Sequence, residues 1–388
     1  MEVGARGYCA ETVRICLRSL GFSSKRVTSS LKSLSLCAIK SSFVIWMSRD
    51  SKEWDSSYLS ERKDDRPTKS TSTKVSMCPP SSARAPPSGV RQKVTSHVSS
   101  EKFKLNGLLN KGNTCYVNSI LQCLRALTSF VSNLFNLTDV RSAMTRSFSQ
   151  ICRELTSSKS VVDPSQFLLA LQNVIVKEGN TGFNVFSQQD AAEILVHIIS
   201  EFAISSPIIS PLFQTSVSIS RVCEECGESS SSAEICSILR LPVARSVKES
   251  LQMLVAPVVS DSFCYFCDRV NSCVEEKHLS NVGSHLVLQL LRFSQVNGKC
   301  EKDTAQVLCN QKLEIACLNN EDSLTTRHFM LKGTINHLGT LQNGHYSAFV
   351  PEPSGNTWLH CDDRAVLPSR KVVLDSTSVY LLFYEEVH

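Results

Sequence analysis

One cysteine follows a short turn of small and amide residues and precedes a helical pattern. Residues 107–119 read GLLNKGNTCYVNS, with Cys115 as the ninth of them. Beyond it, Val117, Ile120 and Leu121 recur at the spacing of one helix face. We therefore expect Cys115 at or near a helix N-terminus, where the helix dipole and free N–H groups favour a thiolate. A cysteine at such a place is more often a buried small residue, so its chemistry depends on partners elsewhere.

A histidine and two acids near the other end of the chain could supply those partners. His345 follows the loop-like run NHLGTLQNG and begins the strand-like run HYSAFV. An imidazole mounted at a strand start can take the thiol proton and later protonate a leaving amine. Asp362 and Asp363 follow at a distance that suits a hairpin return, which would bring a carboxylate beside the ring. A lone histidine is more often structural, so the prediction depends on all of these residues together.

Two CxxC pairs separated by about 40 residues form a second constellation. Four thiolates on two knuckles suit one tetrahedral, structural Zn²⁺. The alternatives are a redox pair, which would use a single CxxC, and unrelated surface thiols. The interval between the pairs reads as polar and poor in strands. The predicted ligands are Cys223, Cys226, Cys264 and Cys267, whereas Cys236, Cys273, Cys300, Cys309 and Cys317 read as ordinary thiols.

The elements that must position these residues change in type along the chain. Helical spacing comes first and short alternating apolar runs come later. This order, with long intervals between elements, predicts an α+β protein with segregated layers. The expected helices cover residues 116–130, 166–177 and 188–202, and the expected strands cover 286–293, 328–335, 346–350 and 379–384.

Composition limits the classes of protein that this chain can be. It has 388 residues, of which 42% are hydrophobic and 20% charged, so it can bury a sizeable core. We find no apolar run near the roughly 20 residues that a membrane helix requires, which predicts a soluble chain without a membrane partner. Its 17 cysteines occur without a recognisable secretory signal, which favours a reducing compartment, the cytoplasm or the nucleus.

The charge and the composition set residues 1–100 apart from the rest. They carry about +9 and residues 101–388 about −4, so the net charge of +5 does not describe a basic folded core. Ser, Lys, Arg and Pro dominate this segment, which predicts a disordered tail before one domain at 105–388. The first forty or so residues loosely fit a mitochondrial transit peptide. A disordered tail or an incorrectly assigned start upstream of Met47 explains them as well.

Five motifs, in order, resemble the ubiquitin-specific protease family, also called ubiquitin carboxyl-terminal hydrolases. They are GLLNKGNTCYVNSILQCL, QQDAAEIL, LQLLRF, NHLGTLQNGHYSAFV and SVYLLFYEE, and they span about residues 105–386. The resemblance implies an α+β papain-like cysteine protease fold in a thumb, palm and fingers arrangement. The thumb would cover about 105–205 and the fingers and palm about 206–388, with a zinc ribbon in the fingers.

The resemblance also implies roles for particular residues. It makes Cys115 the nucleophile, His345 the general base and Asp362 the carboxylate that orients the base. Asn110 matches the residue that helps to stabilise the oxyanion, and Asp363 matches a polar position that can assist the same site. Which of the two acids dominates stays open at this stage.

Two further positions match family residues that hold the ubiquitin tail or shape the cleft beside it. They are Gln189 and Asp190, and an ordinary role on a helix surface is the alternative for both.

The implied reaction is hydrolysis of the isopeptide or peptide bond after the C-terminal glycine of ubiquitin. Ubiquitin and ubiquitinated proteins would then be the partners, and no catalytic cofactor is expected. The alternatives are a protease for another ubiquitin-like modifier and a catalytically weak scaffold that binds ubiquitin. A zinc-ribbon module for nucleic acid fits poorly, because the first knuckle reads CEECGE and is acidic.

Overall fold

The computed structural model describes residues 105–138, 140–157, 160–296, 299–318, 323–340, 343–352, 357–369 and 375–387. All of them belong to one compact unit of the chain, Thr95–His388. The predictions made for residues 1–100 lie outside the described residues.

Helices occupy the first part of the described chain, as expected. The predicted helix at 116–130 is two helices, because Leu127 turns its backbone to φ −79° and ψ 90° between them. The predictions for 166–177 and 188–202 are confirmed in type, and the second of these helices begins later, at Ala191. The helices are α1 Cys115–Ala126, α2 Thr128–Phe135, α3 Ala143–Ser157, α4 Ser165–Lys177, α5 Ala191–Ser205, α6 Ser210–Phe213 and α7 Val247–Val255.

The helix that begins at Cys115 lies inside the fold. In α1, every residue except Arg125 is buried. The helix packs against two neighbouring strands, Leu324–Gly339 and Gly344–Pro351. A helix that is enclosed on all sides belongs to a core and cannot shift without disturbing it. The first residue of α1 is therefore held on a rigid element.

Strands dominate the rest of the described chain and form two main sheets. An eight-stranded sheet has the order β14-β13-β12-β11-β16-β6-β3, with β10 also paired to β11, and a four-stranded sheet has the order β2-β1-β5-β4. The strands are β1 Thr215–Cys223, β2 Ser229–Cys236, β3 Leu239–Leu241, β4 Val258–Cys264, β5 Arg269–Val282, β6 His285–Leu290, β7 Phe293–Val296, β8 Lys299–Lys302, β9 Val307–Leu308, β10 Lys312–Leu318, β11 Leu324–Gly339, β12 Gly344–Pro351, β13 Trp358–Asp362, β14 Ala365–Ser369, β15 Asp375–Ser376 and β16 Val379–Glu386.

Both faces of the eight-stranded sheet are covered. Alternate residues of β16 separate the two cores: Phe383 packs in the core that contains helices α1 to α6, and Leu382 packs in the core on the opposite face, which contains α7. The second core also holds Val217 and Leu279 from the base of the four-stranded sheet. Each large apolar side chain buried in this way stabilises the fold by about 1.5–3 kcal/mol. The prediction of an α+β protein is confirmed.

Two details of the strand prediction were wrong. The interval between the CxxC pairs is not poor in strands, because β2, β3 and β4 lie in it together with α7. Its strands β2 and β4 form hairpins with the neighbouring strands β1 and β5, but β2 is exposed and rich in serine, so it carries no apolar alternation that would signal a strand. The predicted strand 286–293 stops at Leu290. Its continuation is broken because the side chain of Arg292, 1% exposed, turns inward and donates to the carbonyl oxygen of Val379 at 2.6 Å.

In the part of the chain that the structure describes, none of the helices is both long enough and apolar enough to cross a membrane.

Candidate active site and metal centre

Cys115 is the first residue of α1 and is 4% exposed. Burial raises the pKa of its thiol above the ordinary value. The charge of Asp363 adds to this rise, and the backbone N–H of Tyr346, which donates to the sulfur, opposes it. Within the described part of the chain, the sulfur makes no hydrogen bond to His345. The contact with Tyr346 nevertheless places the thiol beside the residue that follows His345.

His345 lies near the start of β12, and β13 returns beside it. The register pairs Ala348 with Cys361, so the end of β13 reaches back to the beginning of β12. The imidazole Nε2 of His345 lies 2.7 Å from Oδ1 of Asp362. Because Nε2 is occupied by the carboxylate, Nδ1 is the ring nitrogen that remains available to accept a proton.

The second acid of the pair has different partners. One oxygen of Asp363 accepts from Nδ2 of Asn110 at 2.8 Å and the other accepts from Nδ2 of Asn118 at 2.7 Å. Asp363 is one of the two residues other than glycine with positive φ in the described chain, at 48°. This left-handed turn aims its side chain back toward α1. A ring nitrogen of His345 and one carboxylate oxygen from each of Asp362 and Asp363 all lie within 4.8 Å of one another.

The loop before Cys115 is attached to the turn after β13 through the backbone. The N–H of Leu108 donates to the carbonyl oxygen of Asp363 at 2.8 Å. A Cβ added to Gly107 would lie 2.3 Å from the carbonyl oxygen of Arg364, so this close approach requires glycine. The nucleophile loop and the acid-bearing turn are thereby joined, although about 250 residues separate them in sequence.

Asn110 has an amide that is fixed at both ends. Its Oδ1 accepts from the backbone N–H of Gly112 and from that of Thr114, both at 3.2 Å. Its Nδ2 donates one hydrogen to Asp363. An amide nitrogen carries two hydrogens, so one N–H of Asn110 remains for another acceptor.

Gln189 and Asp190 lie at the entrance to α5. Asp190 caps this helix, and its Oδ1 accepts from the N–H of Ala192 at 2.7 Å. Its other oxygen accepts from the hydroxyl of Tyr380 at 2.6 Å. Gln189 donates to the carbonyl oxygen of Asn184 at 3.2 Å. In the described chain, Asp190 thus already has partners for both of its oxygens.

The neighbouring Gln188 makes a contact that the sequence analysis missed. Its Nε2 donates to the carbonyl oxygen of Gly344, directly before His345, at 2.8 Å. The duplicated glutamine in QQD was the signal that could have drawn attention to this position. Gln188 links the entrance of α5 to the strand that carries His345.

A second missed group lies behind His345. Buried His337 has its Nδ1 3.0 Å from Nζ of Lys302, and burial first, then the lysine charge, lowers the pKa of His337 to about 4. The ring is therefore neutral at physiological pH and accepts a hydrogen bond from the lysine. A Cβ on Gly344 would lie 2.0 Å from Nε2 of His337, so glycine is needed where this ring packs against β12.

The four predicted metal ligands lie together at one end of the four-stranded sheet. The sulfur atoms of Cys223, Cys226, Cys264 and Cys267 all lie within 4.8 Å of one another and could hold a metal ion. Those of Cys226 and Cys264 are 3.6 Å apart. Four ligands at a Zn–S distance of about 2.3 Å in a tetrahedron would be separated by about 3.8 Å. The donor set therefore fits zinc in both chemistry and size.

The acidities of these thiols also suit a cation. Backbone N–H groups, that of Cys226 first, lower the pKa of Cys223 to about 6. Hydrogen bonding to Cys226 raises the pKa of Cys267 to about 12. The first thiolate thus forms easily and the cluster resists losing further protons, because negative charge accumulates. A bound divalent cation would remove that resistance.

A fifth cysteine lies beside this cluster. Cys273 is 4% exposed and packs with Cys223 and Cys264. The strand register places it directly opposite Cys223 on β1. The sequence analysis treated it as an ordinary thiol, because nothing near position 273 repeats the CxxC spacing.

Comparisons with known proteins point to one family. The profile of the family described as ubiquitin carboxyl-terminal hydrolase matches residues 106–384. Ubiquitin carboxyl-terminal hydrolase 2 of Homo sapiens is 26% identical over 339 residues, which cover 72% of this chain and 55% of that relative. The chain thus spans only about half the length of this relative. Ubl carboxyl-terminal hydrolase 18 of Mus musculus is 26% identical over 285 residues, which cover 68% of this chain and 77% of that relative.

The fold is also found in solved structures. A SAGA DUB module that contains Ubp8, bound to monoubiquitin, matches with a TM-score of 0.60 and 25% identity, over 73% of this chain and 69% of that chain. The predicted fold is confirmed as an α+β, papain-like cysteine protease fold.

Proposed function

Because the chain belongs to the ubiquitin carboxyl-terminal hydrolase family, we propose that it is a deubiquitinating thiol protease. It hydrolyses the isopeptide or peptide bond after the C-terminal glycine of ubiquitin, and its partners are ubiquitin and ubiquitinated proteins. One observation carries the proposal. The buried start of α1, the His345–Asp362 pair and the turn at Asp363 meet at one place, held there by side-chain and backbone hydrogen bonds.

Cys115 is the nucleophile and His345 the general base. The pKa of the thiol is raised by burial, so the resting sulfur keeps its proton at neutral pH. His345 takes that proton at Nδ1 while Sγ forms a bond to the carbonyl carbon of the ubiquitin glycine. The imidazolium then protonates the leaving amine as the C–N bond breaks, which leaves a thioester. Water, deprotonated by the same ring, hydrolyses the thioester and restores the thiol.

The two acids have separate tasks in this proposal. Asp362 accepts from Nε2 of His345 and fixes the tautomer that leaves Nδ1 free. Asp363 holds Asn110, and the remaining N–H of Asn110 donates to the oxyanion that forms during attack. Asp362 is thus the acid that acts on the base.

Gln189 and Asp190 contribute to the cleft for the ubiquitin tail. Since Asp190 caps α5 and binds Tyr380, we assign it to shaping the cleft wall. Gln189, whose contacts are to Asn184 and Ser187 in its own loop, is the one with an amide that can turn toward a peptide.

One structural zinc ion completes the protein. Cys223, Cys226, Cys264 and Cys267 would hold it, and four protein ligands leave no position for an activated water. Zinc would supply cohesion to the end of the four-stranded sheet and take no part in bond cleavage. No other cofactor is required by the chemistry proposed.

The catalytic domain in this proposal covers residues 105–388. The thumb covers about 105–205, and the fingers and palm cover about 206–388. The cytoplasm or the nucleus is the proposed location, because every described cysteine is a free thiol, as a reducing compartment favours. No nucleic-acid or membrane partner is proposed.

The test is a reaction of the purified protein with probes that carry a C-terminal electrophile on different modifiers. Ubiquitin probe should form one covalent adduct at Cys115, mapped by mass spectrometry. Pretreatment with iodoacetamide should block it. If the folded protein forms no adduct with any of the modifier probes, the proposed activity is overturned, and a scaffold that only binds ubiquitin is favoured.

A second candidate is a protease for another ubiquitin-like modifier. The match to a relative named Ubl carboxyl-terminal hydrolase favours it, because its identity of 26% equals that of the ubiquitin-named relative. In the same panel, faster labelling by another modifier than by ubiquitin would select this candidate.

A further inference from the structure

Asn118 stands one helical turn after the proposed nucleophile and touches the second acid. Its Nδ2 lies 2.7 Å from Oδ1 of Asp363, and the contact spans 245 residues of sequence. The same nitrogen lies 3.3 Å from the carbonyl oxygen of Leu109. Asn118 is 2% exposed.

The orientation of this amide is fixed by its neighbours. Exchanging oxygen and nitrogen would point the amide oxygen at a carboxylate and at a carbonyl group, both of which are acceptors. Nδ2 must therefore face Asp363 and Leu109. As a consequence, Oδ1 of Asn118 is buried without a hydrogen-bond partner.

A buried carbonyl oxygen without a partner costs free energy, so Asn118 is not an optimal residue for packing. An apolar residue at this place in a buried helix would avoid that cost. What only the asparagine supplies is a donor to the carboxylate of Asp363. This donor is the reason to look for a role in the chemistry.

We infer that Asn118 is a positioning residue that acts through Asp363, an inference that rests on the proposed function. Asn118 and Asn110 each donate to one oxygen of Asp363, so the carboxylate is held at both ends and cannot turn toward His345. The fixed carboxylate in turn orients the amide of Asn110, whose remaining N–H serves the oxyanion. Asn118 sets the geometry of that N–H without touching the substrate.

This inference also explains the division of labour between the two acids. Asp363 has both oxygens occupied by amides, which leaves Asp362 alone with the imidazole. Removal of the Asn118 donor frees Oδ1 of Asp363. The freed carboxylate can then rotate, and the Asn110 amide with it.

The same helix provides a matched control. Gln122 is 1% exposed, donates through Nε2 to the carbonyl oxygen of Asn106 at 3.1 Å, and also has a buried oxygen without a partner. It lies one turn further from Cys115 than Asn118 does and does not contact Asp363. If these buried amides only stabilised the fold, removing either one would therefore change the activity to a similar extent.

The experiment compares Asn118→Ala with Gln122→Ala in the full chain on a fluorogenic ubiquitin substrate. We expect Asn118→Ala to lower kcat by at least about tenfold with KM within about threefold. The hydrogen bond that it weakens, from the N–H of Asn110 to the oxyanion, is made in the transition state. Gln122→Ala should stay within about threefold of wild type in both constants. Equal kcat values for the two variants would overturn the inference. If Asn118→Ala does not fold, Asn118→Leu, which fills the space without a donor, replaces it.

A double-mutant cycle separates action through Asp363 from a general effect. In an Asp363→Ala background, Asn118→Ala should change kcat by less than about twofold. If its full effect persists there, Asn118 does not act through Asp363 and the inference is wrong.

A readout without ubiquitin makes this result independent of the proposed function. The rate of Cys115 alkylation by iodoacetamide is measured against pH for the same variants, with the site mapped by mass spectrometry. Asn118→Ala should move the midpoint to higher pH, because the Asp363 carboxylate keeps its charge but loses a donor that partly offsets it, and Gln122→Ala should not move it. If wild type does not hydrolyse ubiquitin, the proposed function fails, while an unshifted midpoint in Asn118→Ala overturns the inference.

Discussion

The thiol at the start of α1 and the thiol of Cys223 in the four-stranded sheet lie in opposite electrostatic settings. Burial and the charge of Asp363 raise the pKa of Cys115. Backbone N–H groups lower the pKa of Cys223 to about 6. The same side chain is thus kept protonated at one site and readily ionised at the other. The raised pKa of Cys115 means that the proposed nucleophile depends on a base, whereas the lowered pKa of Cys223 suits the proposed binding of a cation.

The two regions also differ in what holds them together. The α1 region packs in a core that is formed by helices together with the centre of the eight-stranded sheet. The outer end of the four-stranded sheet has a separate small cluster made of Cys223, Cys264 and Cys273. Strand β2 beside it is mostly exposed. We therefore expect the fold around Cys115 to stay intact when its thiol is removed. The end of the four-stranded sheet, in contrast, should need its thiols to stay folded.

The largest expected effect comes from a substitution that abolishes the reaction and leaves the fold of both regions intact. Cys115→Ala should reduce hydrolysis of a ubiquitin amide by more than about a thousandfold, given the size of nucleophile deletions in comparable triads. Ubiquitin binding, measured by calorimetry, should persist or tighten, because the fold of the catalytic domain does not depend on the sulfur. Zinc content should not change.

Cys123→Ala is the matched control, since it removes the other thiol of α1, which is also buried. Its activity should remain within a few fold of wild type. Hydrolysis by Cys115→Ala above about a thousandth of the wild-type rate would remove Cys115 from its role.

The second largest effect concerns the four-stranded sheet. Elemental analysis should find one zinc ion per chain in wild type and much less in Cys264→Ser, whose melting temperature should be lower by at least about 5 °C. Ubiquitin affinity should fall because the end of the sheet loosens. Alkylation of Cys115 by a small electrophile should remain nearly normal, because the two regions have separate cores.

The control for this prediction is Cys273→Ser, which removes a buried thiol beside the cluster that is not one of the four ligands. It should keep its zinc. A wild-type protein that is active without zinc, or a Cys264→Ser variant as stable and active as wild type, would contradict the structural role.

A smaller effect tests the electrostatics of Cys115. Ionisation converts a neutral thiol to an anion, so the negative charge of Asp363 opposes it and raises the pKa. Asp363→Asn removes that charge and should lower the pKa, so alkylation of Cys115 should begin at lower pH than in wild type. Asp362→Asn should shift the midpoint less, since its carboxylate faces His345. An unshifted midpoint in Asp363→Asn would show that the charge of Asp363 does not contribute to the acidity of Cys115.

Much of the site was predictable because its signals are local. The apolar spacing after Cys115 and the strand-like run after His345 place both residues at the starts of their elements. The four candidate metal ligands follow from CxxC spacing. Contacts such as Asn118–Asp363 and Gln188–Gly344 join segments more than 150 residues apart, and no local pattern encodes which segments meet. Strand β2, exposed and serine-rich, has no apolar alternation and forms through its pairing with β1.

The smallest effect concerns residues 1–100, which lie outside both regions and outside the described residues. No motif of the active site or of the metal site precedes Asn106, and the family profile matches residues 106–384. A chain of residues 101–388 should therefore hydrolyse a fluorogenic ubiquitin substrate with kcat and KM within a few fold of the full chain, and should bind the same zinc. The composition of the removed segment, rich in Ser, Lys, Arg and Pro, predicts that it builds no core of its own. Loss of soluble expression or of zinc on truncation would show that the segment packs on the catalytic domain. Import of a fusion of residues 1–46 into isolated mitochondria is measured separately, because a transit peptide would change the location of the protein and leave both constants as they are.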